Sequence, residues 1–313
     1  MTGADDRPRI LKGLDAAAAK RRLSKGERLL RHPFFTVGVS VGMRVLNQAL
    51  GGKIHLRLRA MTVLGDPMTV VVPSSAEDIW LYGACVESDA EVRLSRFYLR
   101  GLSDGDVFFD VGANLGYYSL LASRLVGDSG RVLAFEPAPH ILPLLEGNVV
   151  GRGNIAIVRT ALSDQAGRAK FHVAPDNLIG SSSLEAGWLT QSNVIEVEAV
   201  PLDDYCFKTG VFPTHIKMDV EGGEERVLLG ARRLLKERSP VVAMEMWFDP
   251  PAPAHRRAAA LLQEAGYRPY GLREDGTLED LGAEGLDGHF ARMKERYLRI
   301  GDHGPDNLVF RRA

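Results

Sequence analysis

The sequence predicts a doubly wound α/β fold built on a mostly parallel sheet, and two observations carry that expectation. From Asp106 onward, short continuous apolar runs alternate with helix-patterned segments: VFFDVGA before YYSLLASRL, RVLAFEPA before HILPLLEGNVV, IAIVRTAL, HIKMDVEG before ERVLLGARRLLKE, and PVVAMEMW before AHRRAAALLQEAG. Strands apolar on both faces belong to parallel sheets covered by helices on each side. The second observation is composition: 313 residues, 45% hydrophobic and 25% charged, with no internal repeat, suit a globular chain that buries a large core.

The elements before the sheet form an N-terminal region over residues 1–80. Ala16, Ala17, Ala18, Ala19 and Leu23 lie among Lys20, Arg21, Arg22, Lys25, Arg28 and Arg31, a helix-favouring basic mixture. A solvated helix packed on the main domain is the plain reading; peripheral docking on a membrane or a partner is the alternative. Ile54, Leu56 and Leu58 alternate and 68–72 is a β-prone run, which predicts a small antiparallel element. Residues 81–313 then make the main domain. Its stretch of about 163–214 is too long for a structureless loop. Segments 169–174 and 194–200 are expected to form a hairpin around Gly180, Ser181, Ser182 and Ser183, inserted before the fourth core strand, and 307–310 to form a last, edge strand.

Totals narrow the function classes. A net charge of -1 supplies no positive field for a nucleic-acid backbone. Cys85 and Cys206 are the only cysteines and form no CxxC pair, so neither a disulfide framework nor a thiolate zinc site is expected. Asp5 and Asp6 stand where a secretory leader wants an uncharged stretch, and the apolar run 33–42 is too short to span a bilayer. A cytoplasmic protein without a membrane span is the expectation.

Chemistry belongs beyond the carboxyl ends of the parallel strands, where the connecting loops gather. Asp110, Glu136, Asp219 with Glu221, and Glu245 all fall at that edge. One such acid caps a helix as readily as it binds a ligand, but four strands delivering acids to one rim point to a polar site that favours cationic groups and hydroxyls over phosphate. In the loop from Asp110 through Gly112, Ala113, Asn114 and Gly116 to Tyr117, the glycines permit a tight turn and close ligand approach. A dinucleotide fingerprint needs a third glycine three residues after its second, and lacks a carboxylate facing the pyrophosphate. Glu136, at the end of the second strand, stands where nucleoside-binding α/β proteins hold ribose hydroxyls.

DVGANLGYYS, FEP, ALSD and IKMDVEGGEERVLLGA together resemble the FkbM family of S-adenosylmethionine-dependent methyltransferases, over roughly 87–250 and a final strand near 307–310. The resemblance implies a class I, Rossmann-like fold and methylation of hydroxyls on natural products or sugars, with S-adenosylhomocysteine as the product. It also implies that the loop holds the methionine portion of the cofactor, Asp110 near its ammonium and backbone amides near its carboxylate. Glu136 would hold the ribose diol, and Ala161, Leu162, Ser163 and Asp164 would lie near the adenine.

An aliphatic hydroxyl needs a base or a metal to lose its proton. In HIKMDVEG, Lys217, Asp219 and Glu221 share one face. Asp219 is the candidate base or cofactor-amine ligand, with Glu221 and Glu245 completing an acidic wall and Lys217 its counter-ion. The competing reading makes Lys217 and Asp219 a structural ion pair and Glu221 the cap of the helix beginning at Glu224. A Mg²⁺ held by Asp219, Glu221 and Glu245 is a variant for which the sequence has no specific motif. His140 and His172 are surface or packing residues that lie within reach of the rim, while His215 starts a strand at the opposite edge. Trp247, Phe248 and Tyr205 are candidates for an apolar acceptor pocket, and 180–183 for a lid. A nicotinamide oxidoreductase and a non-catalytic scaffold are the rival functions. The acceptor and the oligomeric state are not encoded in any pattern found.

Overall fold

The computed structural model describes residues 6–23, 55–74, 76–174, 181–185, 193–247, 252–300 and 305–312, with single positions at 27, 42 and 45. Gly180 and Phe248 and most of 24–54, including Lys25, Arg28, Arg31, Ile54 and all of the run 33–42 but its last residue, lie outside the described residues.

Helix α1 (Arg7–Arg22) begins with Pro8 in its first turn and ends on Lys20, Arg21 and Arg22, charges that complement the C-terminal end of a helix. It buries Ile10, Leu14, Ala17 and Ala18, one face at helical spacing. Strands β1 (Leu56–Met61) and β2 (Pro67–Val72) form the expected antiparallel pair. Two helices follow, α2 (Glu77–Tyr82) and α3 (Asp89–Gly101), the second capped by Ser88, whose side chain accepts from the Glu91 amide.

The main sheet is assembled from β3 (Val107–Val111), β4 (Arg131–Phe135), β5 (Ile155–Val158), β9 (His215–Met218), β10 (Val241–Met246), β11 (Tyr267–Leu272), β12 (Leu278–Asp280) and β13 (Asp306–Arg312). Their spatial order is β12-β11-β13-β10-β9-β3-β4-β5. The five strands from β5 to β10 are mutually parallel, and β13 runs antiparallel between β10 and β11. This is the predicted doubly wound, mostly parallel architecture. The predicted edge position of 307–310 is corrected: β13 is hydrogen-bonded on both sides, and Leu308, Val309 and Phe310 are fully buried. A run apolar on both faces is an interior strand, and the edge on this side belongs to β12.

Side-chain alternation splits the core into two layers. Phe108, Val132, Ala134 and Val309 face a cluster that includes Ile10 and Leu14 of α1, Met68 and Val70 of β2, and helices α4 (Tyr117–Val126) and α5 (Leu142–Val149). Phe109, Leu133, Phe135, Ile216 and Met244 face the opposite cluster. There they meet α6 (Leu202–Thr209), α7 (Glu224–Leu229), α8 (Arg232–Arg238), α9 (Ala252–Glu264) and α10 (Gly285–Ile300). The insertion is a small separate sheet, with β7 (Gly167–Val173) antiparallel to β8 (Asn193–Val200) and the short β6 (Ala161–Leu162) parallel to β8.

Candidate active site

The carboxyl ends of β3, β4, β9 and β10 open on a cavity of about 620 Å³, a size typical of small-molecule sites. Its wall includes Gly112, Ala113, Asn114, Tyr117, Glu136, Ala161, Leu162, Lys217, Asp219, Glu221, Glu245 and Trp247. Most of the sequence-predicted residues are therefore brought to one hollow by strands whose starts lie 24 to 134 positions apart in the chain.

The loop after β3 is shaped by tight backbone contact with the end of β9. Gly112 has φ +80, and a Cβ there would stand 1.8 Å from the Asp219 carbonyl oxygen, so only glycine fits. The Asp219 amide in turn donates to the Val111 carbonyl, closing the two strand ends together. Asn114 also adopts positive φ, +49, and its buried side-chain oxygen has no hydrogen-bond partner among the described residues. A buried acceptor on a cavity wall calls for a donor from a ligand or water.

Glu136 crosses from β4 toward this loop. One carboxylate oxygen accepts from the Asn114 amide at 2.9 Å and the other from the Ala138 amide at 2.8 Å. Its orientation is thus fixed from both sides, with a lone pair left on each oxygen. Burial pushes its pKa up to about 7, the two backbone amides opposing that rise.

On the same wall, the Lys217 ammonium donates to the Asp219 carboxylate at 3.1 Å and to the Gly112 carbonyl at 3.4 Å, and lies 3.9 Å from Asp110. Burial disfavours this cation, but the charges of Asp219 and Asp110 outweigh it and hold its pKa above the ordinary lysine value. Asp110 departs from expectation. It is 0% exposed, does not line the cavity, and accepts from the Ser119 hydroxyl at 2.6 Å. Because β3 and β9 are adjacent with Asp110 opposite Lys217 in register, its side chain is closed over by the lysine and steadies that lysine from behind. The expected role beside a ligand ammonium is corrected accordingly.

Four further placements differ from the expectations. Gly116 is off the wall and serves as the left-handed N-cap of α4. The amides of Gly112, Ala113, Asn114 and Gly116 already donate to Phe135, Glu136 and Ala113, so these four are not offered to a ligand carboxylate. Ser163 and Asp164 are also off the wall. The Ser163 hydroxyl donates to Asp164, which pairs with Arg226, while Ala161 and Leu162 remain at the cavity. Tyr205 packs edge-on against Phe109 and Phe135 in the opposite core layer, leaving Trp247 as the aromatic candidate on the wall.

The turn after β9 carries Glu221 at φ +56. Gly223 holds the N-cap position of the following helix, the Val220 amide donates to Glu224, and the Ser183 hydroxyl donates to the Glu221 carbonyl at 2.7 Å. Ser181 and Ser182 line the cavity, so the described part of the 180–183 stretch does reach it; His140 and His172 are not on its wall. His215 sits near Asp106 at the far edge of the sheet. Glu245 accepts from the Trp247 indole at 3.0 Å, and burial followed by the charges of Asp219, Glu221 and Glu91 pushes its carboxyl well above the usual range. Among the described residues, no three His, Cys, Asp or Glu side chains are grouped to hold a metal ion. No described helix is long and apolar enough to cross a membrane.

Part of the wall escaped the sequence reading: Arg21, Asp78, Cys85, Glu87, Ser88 and Glu91 all line the cavity. The acids in ESDAE were a visible signal, but an acidic first turn is ordinary helix-start chemistry.

Similarity to known proteins agrees with this geometry. The model of the Methyltransferase FkbM domain matches residues 110–269. The 31-O-demethyl-FK506 methyltransferase FkbM of Streptomyces tacrolimicus is 32% identical over 173 residues, 45% of this chain and 66% of that protein. The hexuronic acid methyltransferase AglP of Haloferax volcanii is 27% identical over 175 residues, 54% of this chain and 66% of that one. The chain thus spans just under two thirds of the length of these curated relatives. The crystal structure of methyltransferase FkbM from Methylobacillus flagellatus KT aligns over 69% of this chain and 47% of its own, at 19% identity and a TM-score of 0.44. With the family model spanning half of its length, glycine loop, Glu136 and Asp219 included, the chain belongs to the FkbM family of S-adenosylmethionine-dependent methyltransferases.

Proposed function

We propose that this protein moves a methyl group from S-adenosylmethionine to a hydroxyl of a small-molecule acceptor, a natural product or a sugar. The observation that carries the reading is the position of Glu136. A carboxylate pinned by two backbone amides at the end of the second parallel strand, facing a cavity, is preorganised to accept a vicinal diol. The residues present fit the cofactor in a second way, because the unpartnered Asn114 oxygen offers an acceptor on the same wall. Gly112 to Asn114 would flank the methionine portion, Glu136 the ribose, and Ala161 and Leu162 the adenine.

When bound, S-adenosylmethionine supplies an electrophilic methyl carbon on a sulfonium. The chain's own residues align the acceptor and take up its proton. Alignment in a closed cavity accounts for much of the rate of an in-line displacement. Asp219 is the candidate base: its carboxylate lies on the wall with a side chain 33% exposed, held in place by Lys217. The names of the two relatives, one a 31-O-demethyl-FK506 methyltransferase and one a hexuronic acid methyltransferase, support an oxygen acceptor.

Calorimetric titration with S-adenosylmethionine and with NADH tests this reading. Binding of the first and not the second is expected; a preference for NADH, or binding of neither, would overturn it.

A further inference from the structure

The cavity has a second half that the cofactor reading leaves unexplained. Beyond the loop and Glu136, its wall is made by Asp78 of α2, Glu87 before α3, Glu91 within α3, and Trp247 after β10. Asp78, Glu87 and Glu91 lie outside the segment that the family model matches. They nevertheless face the same hollow as Asp219, Glu221 and Glu245.

Two of these carboxylates are held in place. Glu91 accepts from the Tyr118 hydroxyl at 2.6 Å through one oxygen and from the Asn307 side-chain amide at 2.9 Å through the other. Glu245 is held by the Trp247 indole. The cations on the described wall are Lys217 and Arg21, and both are engaged: Lys217 with Asp219 and Asp110, Arg21 with Asp89 at 3.1 Å. Glu87 has its pKa pushed up to about 7, by burial first and then by the charges of Glu91, Asp78 and Asp219, so the acids repel one another across the space. A carboxylate or phosphate entering here would lose its hydration and meet the same Asp78, Glu91 and Asp219 charges that push Glu87 up. Hydroxyls and amines would find acceptors, and an indole face suits the apolar face of a sugar-like ring.

Resting on the methyltransferase reading above, we propose that residues 76–91 are the acceptor-recognising wall, and that with Trp247 they select a hydroxylated ring free of negative charge and reject its carboxylated counterpart. Discrimination of this kind comes from repulsion built against the wrong ligand as much as from attraction to the right one.

The experiment uses the full chain and matched glycosides that differ only at one ring position: hydroxymethyl, aminomethyl or carboxylate. S-Adenosylmethionine affinity is measured first on the same preparation, and methyl transfer is then followed by mass spectrometry. The neutral and amine members should exceed the carboxylate member at least tenfold in kcat/KM. The double variant Asp78→Asn with Glu87→Gln should shrink that ratio severalfold while cofactor affinity holds. Equal or preferred use of the carboxylate member, or a ratio unmoved in the folded double variant, overturns the proposal. If cofactor binds but no member of the set is methylated, the acceptor class is wrong. If cofactor does not bind, it is the methyltransferase reading that fails.

Discussion

Glu136 concentrates what a single residue contributes to this site. Both oxygens are pre-aimed by backbone amides, so Glu136→Ala should remove the diol acceptor without opening the fold, weakening S-adenosylmethionine binding by about 1.5–3 kcal/mol, the range for hydrogen bonds to a charged group. Calorimetry alongside a circular dichroism melt checks both halves of that statement. Its raised pKa gives a pH signature as well. The ionised form, the stronger acceptor, is populated above about pH 7 and lost below it. The affinity for 5′-methylthioadenosine, which keeps the ribose but lacks the titrating amino acid portion, should therefore fall by up to about tenfold from pH 8 to pH 6. Glu136→Gln should flatten that profile. At Asp219 the expectation is different. Asp219→Asn keeps the shape and deletes the base, so kcat should drop by about 10²–10⁴; turnover at the wild-type rate with unchanged cofactor affinity removes Asp219 from both of its proposed roles.

At the scale of elements, the active-site loop is braced from outside the sheet. Asn148 of α5 accepts from the Thr69 amide at 2.6 Å and donates to the carbonyls of Thr69 and Leu115, tying β2 to the loop before α4. Asn148→Ala leaves those buried backbone groups unpaired, which should cost about 1–3 kcal/mol in urea denaturation. The interior placement of β13 matters for the same reason. Being central, it can project Asn307 onto Glu91 and so fix an acid of the cavity wall; an edge strand at the far side of β12 would be out of reach.

The whole molecule is held together across its ends by a buried cluster in which Arg93 of α3 pairs with Asp306 of β13 at 2.6 Å and His289 of α10 approaches at 3.4 Å. Burial alone would raise the Asp306 pKa, but the hydrogen bond from His289 and the Arg93 charge outweigh it and bring it down to about 2. A depressed carboxylate pKa contributes stability that is present above the unfolded value of about 3.9 and is lost as pH falls through the folded one. The shift corresponds to about 2–3 kcal/mol. Denaturation midpoints measured from pH 5 to pH 2 should show this loss, and Asp306→Asn should remove that part of the pH dependence.

Legible in the chain alone were local features: the succession of core strands, the glycine loop, the acid ending each strand and the family those motifs share. Such features are written in short windows, because periodicity and turn chemistry depend on neighbours a few residues away. Which acids meet the cavity was decided by tertiary structure. Asp110 and Asp219 look alike in sequence, yet strand register puts one behind Lys217 and leaves the other on the wall. The recruitment of Asp78, Glu87 and Glu91 opposite residues more than a hundred positions later likewise depends on how helices α2 and α3 pack on the sheet, and such long-range packing leaves no mark in any short window.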